Sequence, residues 1–160
     1  MKFKEKSIMK NSFLIFVLLF IASCSQEDES KINLLESERF LESNLLSEEI
    51  IEIESGLQYQ VLRSSIEGRQ PTLENVITAD FHGTLMDGTV FWSSIDIGEP
   101  LTITLSQLIP GCQKAISRMK VGDSWRVFIH PNLAYGVNGT SGIPTNSTII
   151  FDIDLLAVSD

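Results

Sequence analysis

The chain has 160 residues, with 12 Lys and Arg against 21 Asp and Glu, so its formal net charge at pH 7 is −9. This length suits one domain of ordinary size with short appendages and is too small for two full domains. The acidic balance argues against binding to nucleic acid or to anionic lipid headgroups, which attract basic surfaces. We therefore expect no nucleic-acid partner.

The first 23 residues have the three parts of a secretory signal peptide. Residues 1–10 are basic, an apolar run extends from Phe13 to Ala22, and a small-residue cleavage site ends at Ser23. The apolar run is too short for a good membrane span, since crossing the hydrocarbon core takes about 20 residues. We predict that residues 1–23 are removed and that the mature protein begins at Cys24.

Cys24 follows Ile-Ala-Ser, a sequence that resembles the lipobox of bacterial lipoproteins, in which the cysteine is acylated. An ordinary secretory signal with a chance cysteine is the alternative, but the cysteine occupies the one position that lipidation requires. Several acyl chains would anchor the protein firmly, because each buried methylene contributes about 0.8 kcal/mol. An acylated Cys24 leaves Cys112 without a disulfide partner, so Cys112 is predicted to be a buried free thiol.

Residues 24–55 are predicted to form an acidic tether and a short helix. Ser25 to Ser30, SQEDES, is typical of a solvated tether. Such a run after a lipidated cysteine also resembles a signal for transfer to the cell surface, so both the periplasmic face and the cell surface of the outer membrane stay open. From Ile32 to Glu54, leucines recur at helical spacing, with Leu34, Leu41 and Leu45 on one side. This pattern predicts a short amphipathic helix.

Residues 56–160 are predicted to form one α+β domain, a twisted antiparallel β-sheet wrapped around one short α-helix. The helix is indicated by an apolar face from Ile109 to Met119, with Pro110 suited to its first turn and Gly122 to its end. Alternating or β-rich runs indicate the strands, at Gly56 to Arg63, Val76 to Leu85, Val90 to Trp92, Leu101 to Leu105, Ser124 to His130 and Thr148 to Val158.

Two blocks within this domain carry a recognisable pattern. In Phe81 to Ser94, FHGTLMDGTVFWSS, Asp87-Gly88 separates two β-rich runs and supplies the positive-φ residue of a tight hairpin. In Leu133 to Phe151, LAYGVNGTSGIPTNSTIIF, an aromatic-glycine turn leads through a polar loop to Ile143-Pro144 and then into an apolar strand. Together these blocks resemble an FKBP-type peptidyl-prolyl isomerase. The form most similar is a bacterial lipoprotein, as in the macrophage-infectivity-potentiator branch and in gliding-associated lipoproteins.

The resemblance implies a reaction without nucleophile, metal or cofactor. Isomerisation must lower a barrier of roughly 18–20 kcal/mol for rotating the amide about its C–N bond. Twisting breaks amide resonance, so a dry aromatic pocket disfavours the planar polar ground state relative to the twisted one. His82 and His130 lack ligand-like spacing, which argues against a metal site. Dimerisation through the predicted amphipathic helix is one alternative, since longer N-terminal helices dimerise in the macrophage-infectivity-potentiator branch. The shortness of the helix favours the other alternative, a helix that is packed on its own domain or partly disordered.

The resemblance also assigns site residues. A backbone N–H at Leu108-Ile109 would bind the substrate carbonyl, the Tyr135 hydroxyl would donate to it, and Ile143 would lie over the proline ring. Tyr135 is the sharpest case, because a tyrosine in a glycine-bearing loop offers both an apolar face and a donor. The expected catalytic residues are Phe81, Phe91, Ile109, Tyr135 and Phe151, and the expected substrate contacts are Leu101, Ile103, Leu108, Cys112, Ile143 and Trp92.

Three positions depart from the family pattern. Cys112 stands where the family usually has a tryptophan floor, Trp92 replaces an aspartate, and Phe81 lacks the usual hydroxyl. The loss of two polar contacts puts macrolide affinity in more doubt than isomerisation, so inhibitors of that class are expected to bind with reduced affinity. Trp92 is equally compatible with lining the pocket and with a structural place on the surface.

We therefore expect an extracytoplasmic, membrane-anchored isomerase that assists the folding of proline-containing clients. The alternative is a membrane-tethered chaperone or assembly factor that keeps the fold with weak or no catalysis. An accessory lipoprotein of a surface machine, such as a gliding apparatus, is a further possibility.

Overall fold

The computed structural model describes residues 27–160, so the predicted signal peptide and the lipidation site Cys24 lie outside the described residues. The first described element is helix α1, residues 27–44. Two shorter α-helices follow, α2 (Ser94–Ile97) and α3 (Pro110–Ile116). None of the helices in this described part is both long and apolar enough to cross a membrane.

Seven strands form one antiparallel sheet, which confirms the predicted α+β class. The strands run in the order β1-β2-β6-β7-β3-β4, and β5 pairs with β3. They are β1 (Ile50–Glu54), β2 (Leu57–Arg63), β3 (Val76–Leu85), β4 (Val90–Ser93), β5 (Leu101–Thr104), β6 (Ser124–Ile129) and β7 (Ile149–Ser159). The two longest strands, β3 and β7, pair over their whole length at the centre.

Period-2 alternation explains why the central strands form as they do. Along β7, Ile149, Phe151, Ile153 and Leu155 are buried, whereas Asp152 and Asp154 alternate with them and are only half-buried. Arg126 on β6 donates to both carboxylate oxygens of Asp152, at 2.7 and 2.8 Å. One face of the sheet therefore carries the core, and the other carries polar cross-strand pairs.

Helix α3 packs on the core face of the sheet. Cys112, Ala115 and Ile116 are buried, as the predicted apolar face requires, and Met119 beyond the helix is fully buried as well. Pro110 occupies the first turn, where its missing N–H costs no hydrogen bond. The helix ends at Ile116, well before Gly122, because the chain turns there and Arg118 N donates to Ala115 O at 2.9 Å.

The prediction for residues 25–54 was wrong in two places. Residues 27–30, expected to be a tether, are helical, and α1 ends at residue 44 although the helix was expected to reach Glu54. Residues 50–54 instead form β1, which pairs with β2 from Ile50↔Gln60 onward. The isoleucines of this segment are β-branched and suit a strand, and β2 offers an edge to pair with.

Helix α1 packs on the same domain. The ring of Phe40 lies 6.0 Å from that of Phe128 on β6, and Gln58 Nε2 donates to the carbonyl of Leu41 at 2.9 Å. Leu41 is buried, whereas Leu45 and Leu46 beyond the helix are exposed. This helix therefore covers the face of β6 opposite to α3, since Val127 and Ile129 belong to the main core and Phe128 lies between them.

Candidate active site

A cavity of about 320 Å³ lies between the sheet, the start of α3 and the loop after β6. Eight of the eleven predicted pocket residues line it. None of the lining residues is charged: they are Phe81, Trp92, Leu101, Gln107, Leu108, Ile109, Cys112, Tyr135 and Phe151. Such a cavity suits an apolar group with one or two polar atoms to be oriented.

Aromatic rings packed edge to face build one wall. Phe81 on β3 and Phe151 on β7 have ring centroids 5.7 Å apart at 80°, and Phe91 meets Phe151 at 5.4 Å and 77°. The ring centroids of Trp92 and Phe81 lie 6.1 Å apart, and Trp92 lines the cavity. Of the two places expected for Trp92, the pocket and the surface, the structure therefore shows the pocket. Edge-to-face pairs of this kind are worth roughly 0.5–1.5 kcal/mol beyond the area that they bury.

Gly83 makes this wall possible. A Cβ at this position would lie 2.6 Å from Phe151 Cε1 and 2.6 Å from Phe91 Cζ, closer than any ordinary contact. The two rings therefore lie directly over the backbone of β3. Sequence reasoning did not single out this residue, although a glycine inside a strand often marks such a close approach.

Three predicted pocket residues do not line the cavity. Phe91 is the extra residue at a register shift of β4, between Val90 and Trp92, and it packs over Gly83 against the ring of Phe151, behind the cavity lining. Ile103 is on β5 opposite Ile77 and is packed against the core. Ile143 is only 4% exposed and belongs to the buried core, so it supports the loop from within.

Cys112 lies at the floor of the cavity on α3. It is a buried free thiol, as expected. Burial raises the pKa of this thiol from 9.0 to about 12, because a thiolate would be desolvated there. The neutral thiol acts as a small apolar surface and not as a nucleophile.

Two groups can orient a substrate amide. Tyr135 is half-buried beside the cavity, and burial, with a further contribution from Cys112, raises the pKa of its hydroxyl above 10.0. The hydroxyl therefore stays protonated at neutral pH and remains a donor. Ile109 caps α3 in an extended conformation, and its backbone N–H donates to no acceptor among residues 27–160. This amide is available to a ligand.

Gln107 was missed by sequence reasoning. It ends a single 3₁₀ turn, Leu105–Gln107, directly before Leu108, and it contributes to the cavity lining. A lone glutamine in a connection between a strand and a helix gives no sequence signal for a binding site. Its place follows only from the direction in which that turn leads the chain.

Comparison with known proteins identifies the family. The sequence pattern described as FKBP-type peptidyl-prolyl cis-trans isomerase matches residues 67–156. The chain belongs to this family. Residues 18–61 match a second pattern, the domain amino-terminal to FKBP-type peptidyl-prolyl isomerase.

Similar FKBP-type proteins come from several bacteria. The chain is 40% identical to the FKBP-type isomerase FkpA of Aeromonas hydrophila, covering 79% of this chain and 47% of that protein. It is 39% identical to the isomerase Mip of Coxiella burnetii, covering 79% and 55%. The crystal structure of FkpA from Escherichia coli superposes with a TM-score of 0.88 at 30% identity, covering 99% of this chain and 74% of that one. The chain thus spans about half the length of the curated relatives FkpA and Mip.

The donor role of Tyr135 in this FKBP-type site is open to a direct test. Tyr135→Phe keeps the ring and removes the hydroxyl, so we expect a modest loss of transition-state stabilisation, about 0.5–1.5 kcal/mol for one neutral hydrogen bond. The measurement is kcat/KM on a proline peptide, which should fall by about two- to twelvefold. An unchanged kcat/KM in a folded variant would show that the hydroxyl takes no part.

Proposed function

We propose that this protein is a cofactor-free peptidyl-prolyl cis-trans isomerase acting on proline-containing polypeptides. The observation that carries the proposal is the uncharged cavity with the hydroxyl of Tyr135 and the unpaired N–H of Ile109 at its margin. An apolar wall with two fixed donors suits a substrate that must be oriented but not chemically attacked.

In the proposed mechanism, the proline ring enters between the walls formed by Phe81, Trp92 and Phe151. The N–H of Ile109 and the hydroxyl of Tyr135 donate to the substrate carbonyl and so orient the peptide in the cavity. In the twisted amide the resonance is lost and the dipole falls. Because the uncharged lining solvates the planar amide poorly, the twisted state is stabilised relative to the ground state.

A protease-coupled assay tests this proposal. Tetrapeptides with different residues before proline are mixed with the protein, and the protease cleaves only the trans form. We expect acceleration over the uncatalysed reaction, which takes tens of seconds or more, and we expect it to persist in chelator. Rates equal to buffer for the whole panel would contradict catalysis. If aggregation of an unfolded client were still suppressed, the chaperone alternative would then be favoured.

The lining of the same cavity also affects the binding of macrolide inhibitors. Its lining includes Phe81 and Trp92 where the family usually has a tyrosine and an aspartate, and it holds no carboxylate. We therefore propose that macrolides of the FKBP-binding class bind with reduced affinity. The measurement is inhibition of the peptide assay, in which Trp92→Asp should strengthen inhibition relative to the wild type.

We further propose that the protein is an extracytoplasmic lipoprotein anchored through Cys24. The support is the sequence at residues 21–24, Ile-Ala-Ser-Cys, at the end of a basic and then apolar leader. An anchor of this kind would hold the isomerase where secreted chains fold. The clients would be extracytoplasmic proteins limited by proline isomerisation.

Labelling with palmitate tests the anchor. In cells fed labelled palmitate, we expect the wild type to carry label and to fractionate with membranes, and Cys24→Ser to lose both properties. Cys112→Ser is the matched control, because Cys112 is buried in the domain and its replacement should leave the label in place. An unlabelled wild type in the soluble fraction would contradict the proposal.

A further inference from the structure

The loop between β6 and β7 is held by helix α1 as well as by the sheet. Asn33 Nδ2 donates to the carbonyl of Thr145 at 2.9 Å. Ser37 Oγ donates to the carbonyl of Asn146 at 2.9 Å, and the backbone N–H of Thr148 donates to Ser37 Oγ at 2.9 Å. Side chains of one helix thus hold the backbone of residues 145–148.

These contacts come from a polar stripe on α1. Ser30, Asn33 and Ser37 are three and four residues apart, which places them on one face of the helix. Ser30 receives hydrogen bonds from Asn146 Nδ2, at 3.2 Å to its carbonyl and 2.9 Å to its hydroxyl. The stripe continues toward the buried Leu41. This polar stripe was not identified from the sequence, because the prediction of the helix followed the spacing of the leucines.

Ser37 is the buried centre of the stripe. Ser37 is 0% exposed. Its hydroxyl donates to the carbonyl of Asn146 and accepts from the N–H of Thr148, so it satisfies both backbone groups as a neighbouring β-strand would. Serine in a helix interior normally competes with the backbone of its own helix, whereas this hydroxyl bonds a segment more than a hundred residues away. Without the hydroxyl, the N–H of Thr148 would be a buried donor with no partner.

The segment held by Ser37 connects the turn that carries Tyr135, the buried Ile143 and the strand that carries Phe151. The N–H of Asn146 donates to the carbonyl of Gly136 at 2.9 Å, next to Tyr135. Ile143 lies three residues before Asn146, and Thr148 directly precedes β7, which carries Phe151. Asn146 has φ +52°, a left-handed conformation that is uncommon for non-glycine residues, although asparagine adopts it more readily than most.

We propose that Ser37 is a positioning residue of the isomerase site: through Asn146 and Thr148, helix α1 holds the loop in the conformation that places Tyr135 and Ile143. This inference rests on the proposed isomerase function. The hydroxyl of Ser37 bonds Asn146 and Thr148, and neither of these residues lines the cavity. Ser37 therefore acts through the loop and not on the substrate. The amino-terminal helix is thereby a part of the site's architecture.

The test compares Ser37→Ala with Ser43→Ala in the full-length chain. Ser43 is on the same helix, but it is exposed and its hydroxyl bonds only the carbonyl of Phe40, at 2.7 Å. We measure amide hydrogen exchange at Asn146 and Thr148 and the kcat and KM of peptide isomerisation. In Ser37→Ala, amide exchange at Thr148 should be about tenfold faster, and kcat/KM should be about threefold lower than in the wild type. Ser43→Ala should match the wild type in both.

A rescue variant and the separate readouts decide the outcome. Ser37→Thr restores the hydroxyl and should recover protection of Thr148 and activity together. Unchanged exchange at Thr148 in Ser37→Ala would overturn the inference even in an active enzyme. Faster exchange with wild-type kcat/KM would also overturn it, since the contact would then be structural only. A wild type without isomerase activity would instead overturn the proposed function, while the exchange measurement would still report whether Ser37 holds the loop.

Discussion

Phe151→Ala should lower the free energy of unfolding by about 3–5 kcal/mol and remove most of the proposed isomerase activity. The side chain is only 6% exposed, meets the rings of Phe81 and Phe91 edge to face at 5.7 and 5.4 Å and lines the cavity. Its loss therefore leaves a void in the core and opens the wall against which the proline ring would pack. The measurements are urea denaturation and kcat/KM per folded molecule.

Phe128→Ala is the matched control. Phe128 is also 6% exposed, and it faces Phe40 of α1 on the other side of β6. A comparable loss of stability is expected, because a buried ring of the same size is removed. Activity per folded molecule should stay well above that of Phe151→Ala, since no cavity wall changes and only the packing of α1 on β6 is weakened. Equal losses of activity in the two variants would place the active site elsewhere.

The central sheet could be predicted because its signals are local. The alternation of apolar and polar residues along residues 148–158 indicates a half-buried strand, whatever its position in the sheet. The predicted strand matches β7 closely. The turn at Asp87-Gly88 requires a residue with positive φ, and Gly88 has φ +85°. The pocket residues were predicted from the resemblance to the FKBP family, and the register of β3 and β7 brings two of them, Phe81 and Phe151, together.

Residues 27–54 could not be predicted in the same way, because their structure depends on distant partners. The leucine spacing fits a helix through Glu54, but Ile50–Glu54 instead pairs with the edge of β2 and forms a strand of the sheet. Ser37 looks like a solvent-facing helix residue until the backbone of Asn146, 109 residues away, is placed beside it. Gln107 likewise reaches the cavity only through the turn that precedes α3.

Stability at alkaline pH should depend on Cys112. Burial raises the pKa of this thiol from 9.0 to about 12 in the folded protein, so the unfolded chain loses the proton first as the pH rises. The contribution of the neutral thiol is therefore complete below pH 9 and is lost progressively between about pH 9 and pH 12. The expected slope is about 1.4 kcal/mol per pH unit in this window, or roughly 3 kcal/mol by pH 11.

Cys112→Ala isolates this effect. The variant starts from a lower stability at pH 8, because it leaves a small void at the cavity floor, but its stability should fall less steeply between pH 9 and pH 11 than that of the wild type. Tyr135→Phe is the comparison variant, since the pKa of Tyr135 is also raised by burial and this substitution should leave the Cys112 dependence intact. The measurement is urea denaturation at intervals of half a pH unit under reducing conditions. Parallel curves for the wild type and Cys112→Ala would show that the thiol is not desolvated at the floor of the cavity.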